Sequence, residues 1–121
     1  MDVVVEVGGW EHECCGDAIE RNQLVDVRCI RYVGPDGLLR LAESRHGGLD
    51  VPADQRIRGR VTEIRVVQAG GVTQAVLRVP SGQALRGFGD DDDGHLEDPW
   101  TGDVVPSATS EFLVTVRTSR R

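Results

Sequence analysis

From Arg56 to Val66, basic and apolar side chains alternate: Arg56, Arg58 and Arg60 interleave with Ile57, Gly59 and Val61. In extended backbone successive side chains point to opposite faces, so this run describes a strand with one apolar and one charged face. The phase shifts near Glu63, after which Ile64 and Val66 carry the apolar face. A turn at Ala69-Gly70-Gly71 then leads into a returning strand, with Ala75, Leu77 and Val79 expected inward. The hairpin from Arg56 to Pro80 is the anchor for everything else.

Other segments fit the same pattern. Val3 to Val7 is a short apolar run and a first strand. In Leu24 to Val33, residues Val25, Val27 and Cys29 share one face, and Ile30 and Tyr32 then weight the other, as in a bulged strand or one buried on both sides. Gly34-Pro35-Asp36-Gly37 is a turn, since Pro presets φ and Gly tolerates positive φ. Leu38 to Arg45 places Leu38, Leu41 and Ala42 on one helical face, with a strand as the alternative. Phe112, Val114 and Val116 alternate in a last strand.

Only two Trp, two Phe and one Tyr contribute aromatic bulk, so valine dominates the apolar residues. Branching at Cβ stiffens valine in helices and suits it to pleated surfaces. The expected fold is therefore mainly β: a small barrel of five to six strands, or a strongly bent antiparallel sheet, SH3-like or OB-like, with at most one short helix. Its 121 residues are expected to form a single β-rich domain, 1–121, with a polar acidic loop at about 86–109.

A net charge of −6 opposes binding to phosphate backbones, so nucleic acid is an unlikely ligand. All 14 basic residues are Arg, as a GC-rich coding genome would produce. The start, Met1-Asp2-Val3-Val4-Val5-Glu6, lacks the basic residues and long apolar stretch of a secretory signal, and no window approaches the ~18 apolar residues of a membrane span. Three Cys, two of them adjacent, make a poor disulfide framework. Reduced thiols in the cytoplasm, away from membranes, are the expectation.

The least ordinary segment is Gly8-Gly9-Trp10-Glu11-His12-Glu13-Cys14-Cys15-Gly16-Asp17, expected as a loop or broken strand. Its Trp-x-x-x-Cys-Cys-Gly, together with His46-Gly47-Gly48 and a later hairpin, resembles the actinobacterial DUF6578 family. That family more often has Val-Gly-Asp where this chain has Arg21-Asn22-Gln23, which bears on a tight turn there. The resemblance implies a β-rich cytoplasmic protein and no particular activity.

Cys14, Cys15 and His46 are the candidate thiol or metal site, with His12 as another imidazole. Zinc would be the metal, but structural zinc sites use Cys pairs at wider spacing and a second pair, which this chain lacks. A thiolate nucleophile would need His46 or His12 as base and Asp17 to orient it. Against both stands the plainer role of buried Cys as small apolar filling beneath Trp10. Asp90 to Asp93 fails the calcium-loop pattern, because Gly89 stands where the first Asp belongs, and reads as a solvated loop. Trp100, after Pro99, is expected to plug the barrel.

The row Arg56, Arg58 and Arg60, with Arg65 nearby, either binds an anionic ligand or acidic partner or pairs with the chain's own carboxylates. The expected function is non-enzymatic: a binding or accessory domain that takes a protein partner or small ligand through Trp10, Cys14, Cys15, His46, Arg58 and Arg60, without a cofactor. The alternative is a thiol- or metal-dependent site on Cys14, Cys15 and His46.

Overall fold

The long alternating strand organises the molecule. The computed structural model describes residues 1–8, 12, 16–43, 55–87, 91–106 and 111–118. Five strands hydrogen-bond into a ring: β1 (Asp2–Gly8), β3 (Leu24–Val33), β4 (Leu39–Glu43), β5 (Gln55–Val67) and β10 (Glu111–Thr118). Around the ring the order is β1, β4, β3, β5, β10 and back to β1. Four seams are antiparallel, and the short β1–β4 seam, Val5 against Leu41 and Glu6 against Ala42, is parallel. The ring is a small closed β-barrel with one parallel pair among its five seams. Closure leaves these strands few unpaired edges.

β5 manages closure by serving two neighbours in turn. Its first half, to Arg60, pairs with β3, and its second, from Gly59, pairs with β10. The phase shift near Glu63 has a structural cause: the β5–β10 register slips between Thr115 and Val116, opposite Glu63 and Val61. The extra residue turns Ile64 and Val66 inward after Ile57 and Val61. β3 divides in the same way, pairing with β5 through Cys29 and with β4 from Cys29 onward. Cys29 is wholly buried at this handover.

Shorter elements cap the ring: β2 (Ile19–Glu20) with β7 (Arg78–Val79), β8 (Leu96–Glu97) with β9 (Val104–Val105), and the helical turn α1 (Gly82–Leu85). Their Ile19, Val79, Leu96 and Val105 join Val5, Val7, Phe112, Val114 and Val116 in one core. Among the described residues no helix is long and apolar enough to cross a membrane.

Several expectations change. Leu38 to Arg45 is not helical where it is described: β4 occupies Leu39–Glu43, because pairing with both β1 and β3 outweighs a weak helical stripe. The strand returning from the Ala69–Gly71 turn is only β6 (Thr73–Ala75). It ends because the amide of Leu77 bonds the carbonyl of Glu97 instead, so Val76 turns inward and Leu77, expected inside, is 41% exposed. The segment at about 86–109 is not simply a loop, since it holds the β8–β9 hairpin. The turn at Arg21-Asn22 does form, with Asn22 at φ 70° and the Gln23 amide donating to the Glu20 carbonyl at 3.2 Å. Asn tolerates that left-handed conformation nearly as Gly does.

Candidate functional site

Of the residues singled out by sequence, Trp10, Cys14, Cys15 and His46 lie outside the described residues, as does Asp90. Arg58, Arg60, His12, the acidic loop from residue 91 and Trp100 can be placed.

His12 is 1% exposed, and its Nε2 lies 2.7 Å from the carbonyl oxygen of Pro80. A carbonyl only accepts, so Nε2 is the donor in this bond. The other ring nitrogen, Nδ1, is buried with no hydrogen-bond partner among the described residues. The amide of Gly16 donates to the carbonyl of His12 at 2.8 Å. The Gly16 carbonyl in turn accepts from the Gly82 amide at 3.0 Å, tying Gly16 to the start of α1. Gly16 packs flat on the imidazole, and a Cβ there would overlap the ring. The Gly of the Cys-Cys-Gly motif therefore has a packing role.

The acidic run becomes an internal clasp. Asp92 makes a two-pronged salt bridge with Arg78, and its Oδ1 also accepts from the Gly94 amide at 2.9 Å. The Arg78 guanidinium, then the Gly94 amide, hold the Asp92 carboxyl down to about 2. His95 sits between two carboxylates, Nδ1 2.5 Å from Asp93 and Nε2 2.7 Å from Glu97. Oxygen and nitrogen atoms of Asp92, Asp93 and His95 lie within 4.8 Å of one another, but Arg78 and the imidazole already occupy them.

Both carboxylates accept, so both ring nitrogens of His95 must donate, and the clasp requires the imidazolium. Hydrogen bonds from Asp93 first, then Glu97, raise its pKa above the usual 6.5. A raised folded value means the stabilisation is fully present below the unfolded pKa and is lost as pH climbs through the folded one. NMR titration of the His95 ring is therefore expected to give a pKa above 6.5, falling in Asp93→Asn. A value at or below 6.5 in the unsubstituted protein would remove the clasp.

Trp100 does not plug the barrel. It stands 73% exposed at the tip between β8 and β9. Asp98 fixes the tip: its Oδ1 accepts from the amides of Trp100 at 2.8 Å and Thr101 at 3.0 Å, and its backbone bonds Gly102 and Asp103. The Arg21 guanidinium lies 5.9 Å from the indole centroid, a cation–π contact.

The arginine row lies on the outer face of the β3–β5 seam. Register places Leu24 opposite Arg60, Asp26 opposite Arg58 and Arg28 opposite Arg56. One carboxylate serves two guanidiniums: Asp26 is 2.7 Å from Arg56 Nε and 3.1 Å from Arg58 Nε. The Arg56 bond, above the other contributions, lowers the Asp26 pKa. Arg60 donates to the Asn22 carbonyl at 2.6 Å, next to the Arg21 that meets Trp100. Self-pairing, expected as one alternative, is therefore partial. Arg65 is turned elsewhere, to Thr73 and Glu63.

A further groove of about 590 Å³ runs along β1 and β4, floored by Val3, Val4, Leu39, Leu41 and Leu113. Arg40 bridges Glu6 and Asp36 at its rim, and Tyr32 donates to Glu6. Trp100 and Arg28 are the residues that sequence alone did not assign to a surface; for Arg28 the missing signal is register, which no local pattern contains. No family model matches the chain, and neither the curated proteins nor the solved structures contain a significant match.

Proposed function

We propose that this barrel is a non-enzymatic binding domain, an accessory or regulatory protein that offers its outer surface to a partner protein. The display of Trp100 carries this reading. A large apolar ring in water at a fixed tip, braced by four hydrogen bonds to Asp98, loses little freedom on docking. Tryptophan is also among the residues that dominate binding energy when a partner buries them.

The test is affinity capture from extracts of the native host with the tagged protein and its Trp100→Ala variant. A protein retained by the former is expected to lose ~2 kcal/mol of affinity for the latter, roughly thirtyfold. The melting temperature should not change, since the ring is 73% exposed. Recovery of the bait alone, or equal retention by Trp100→Ala, would refute the proposal.

A further inference from the structure

We propose that the outer face of the β3–β5 seam is a docking strip for an extended acidic protein segment with carboxylates at alternate residues. This rests on the domain being a binding module, but not on Trp100 being its anchor.

Charge comes first. Among the described residues of the two paired segments, four guanidiniums, Arg28, Arg56, Arg58 and Arg60, face outward around one carboxylate, that of Asp26, in a chain whose net charge is −6. Arg58 and Arg56 have side chains 69% and 59% exposed, and Asp26 engages each through Nε. With side chains this exposed, both guanidiniums remain open to a second oxyanion bound pairwise from solvent. Screening at ~0.1 M salt shortens the reach of charge to about 10 Å, which lets this local excess act against the overall sign.

Spacing comes second. Arg56, Arg58 and Arg60 succeed one another every two residues of a strand, about 6.7 Å. An extended partner repeats every two residues by the same distance, so alternate Asp or Glu residues meet successive guanidiniums in register. The strip itself holds no aromatic side chain, whereas single-stranded nucleic acid needs stacking platforms along its path. An acidic peptide fits the surface better.

Fluorescence anisotropy with a labelled peptide alternating Asp and Ser tests the idea. A peptide of identical composition with its Asp residues in one block and an oligo-dT strand serve as comparisons. The alternating peptide is expected to bind most tightly, and to weaken as salt rises. Arg58→Gln with Arg60→Gln should cost at least about tenfold in affinity. Asp26→Asn removes the internal competitor and should tighten binding several-fold, an outcome that a damaged fold would not give.

Equal binding of the block peptide, preference for oligo-dT, or indifference to the Arg substitutions would overturn the proposal. So would sedimentation showing that the strip instead joins two copies of this chain. If the alternating peptide fails while Trp100-dependent capture persists, the strip is wrong and the binding domain stands.

Discussion

Phe112→Ala is expected to lower the stability of the barrel by about 3–5 kcal/mol. Phe112 is 1% exposed and is the largest fully buried side chain among the described residues. Its place in β10 is central, since β10 bridges two seams and Phe112 pairs with Val7 of β1 on one side and Val66 of β5 on the other. The neighbours cannot close over the gap. Val7, Val66 and Val114 are short, branched and held in ladders, so a cavity would remain largely open. Domains of this size are stable by only ~5–15 kcal/mol, and the variant would approach the edge of folding. Urea denaturation should show a much lower midpoint at similar slope; a loss below ~1 kcal/mol would mean that the ring contributes little to the interior.

Gly59→Ala is expected to cost about 1–3 kcal/mol or more, although Ala is the better strand residue by chain entropy. At Gly59 the strand is flanked on both sides, by Val25 of β3 and Thr118 of β10. A Cβ there would overlap the carbonyl oxygen of Arg117 and lie 2.8 Å from its carbon. That obstacle is backbone within a hydrogen-bonded ladder, so relief requires the seam to part. Sequence alternation counts Gly59 as one of the inward positions; the structure gives it a different duty, admitting β10 to close the ring. A melting temperature equal to that of the parent protein would show that the seam has room.

How much of this was legible beforehand follows from the range of each interaction. Alternation at Arg56 to Val61, the slip near Glu63 and the apolar positions of β10 are properties of neighbouring residues, and the structure places them as read. The turn at Gly34 to Gly37 is equally local: the Gly37 amide donates to the Gly34 carbonyl at 2.9 Å, and Gly37 adopts φ 81°. The arginine row was legible as a row, and its pairing with Asp26 was not. Leu77 was misplaced because a distant carbonyl, that of Glu97, captured its amide. Trp100 was misplaced because an apolar side chain after Pro predicts burial on average, while Asp98 folds the tip away from the core.

By itself the sequence determined that valine-rich segments would be strands, which faces of β5 and β10 would be apolar, and where the Gly34–Gly37 and Ala69–Gly71 turns would fall. Those outcomes follow from side-chain shape and the two-residue repeat, which act over a few bonds. Only the tertiary structure decided the order of strands around the ring, the parallel β1–β4 seam and the approach of Arg28 to Arg56. Pairing of that kind depends on contacts between residues far apart in the chain, set when all the apolar faces must share one interior. The same closure left Trp100 and the arginines on the outside.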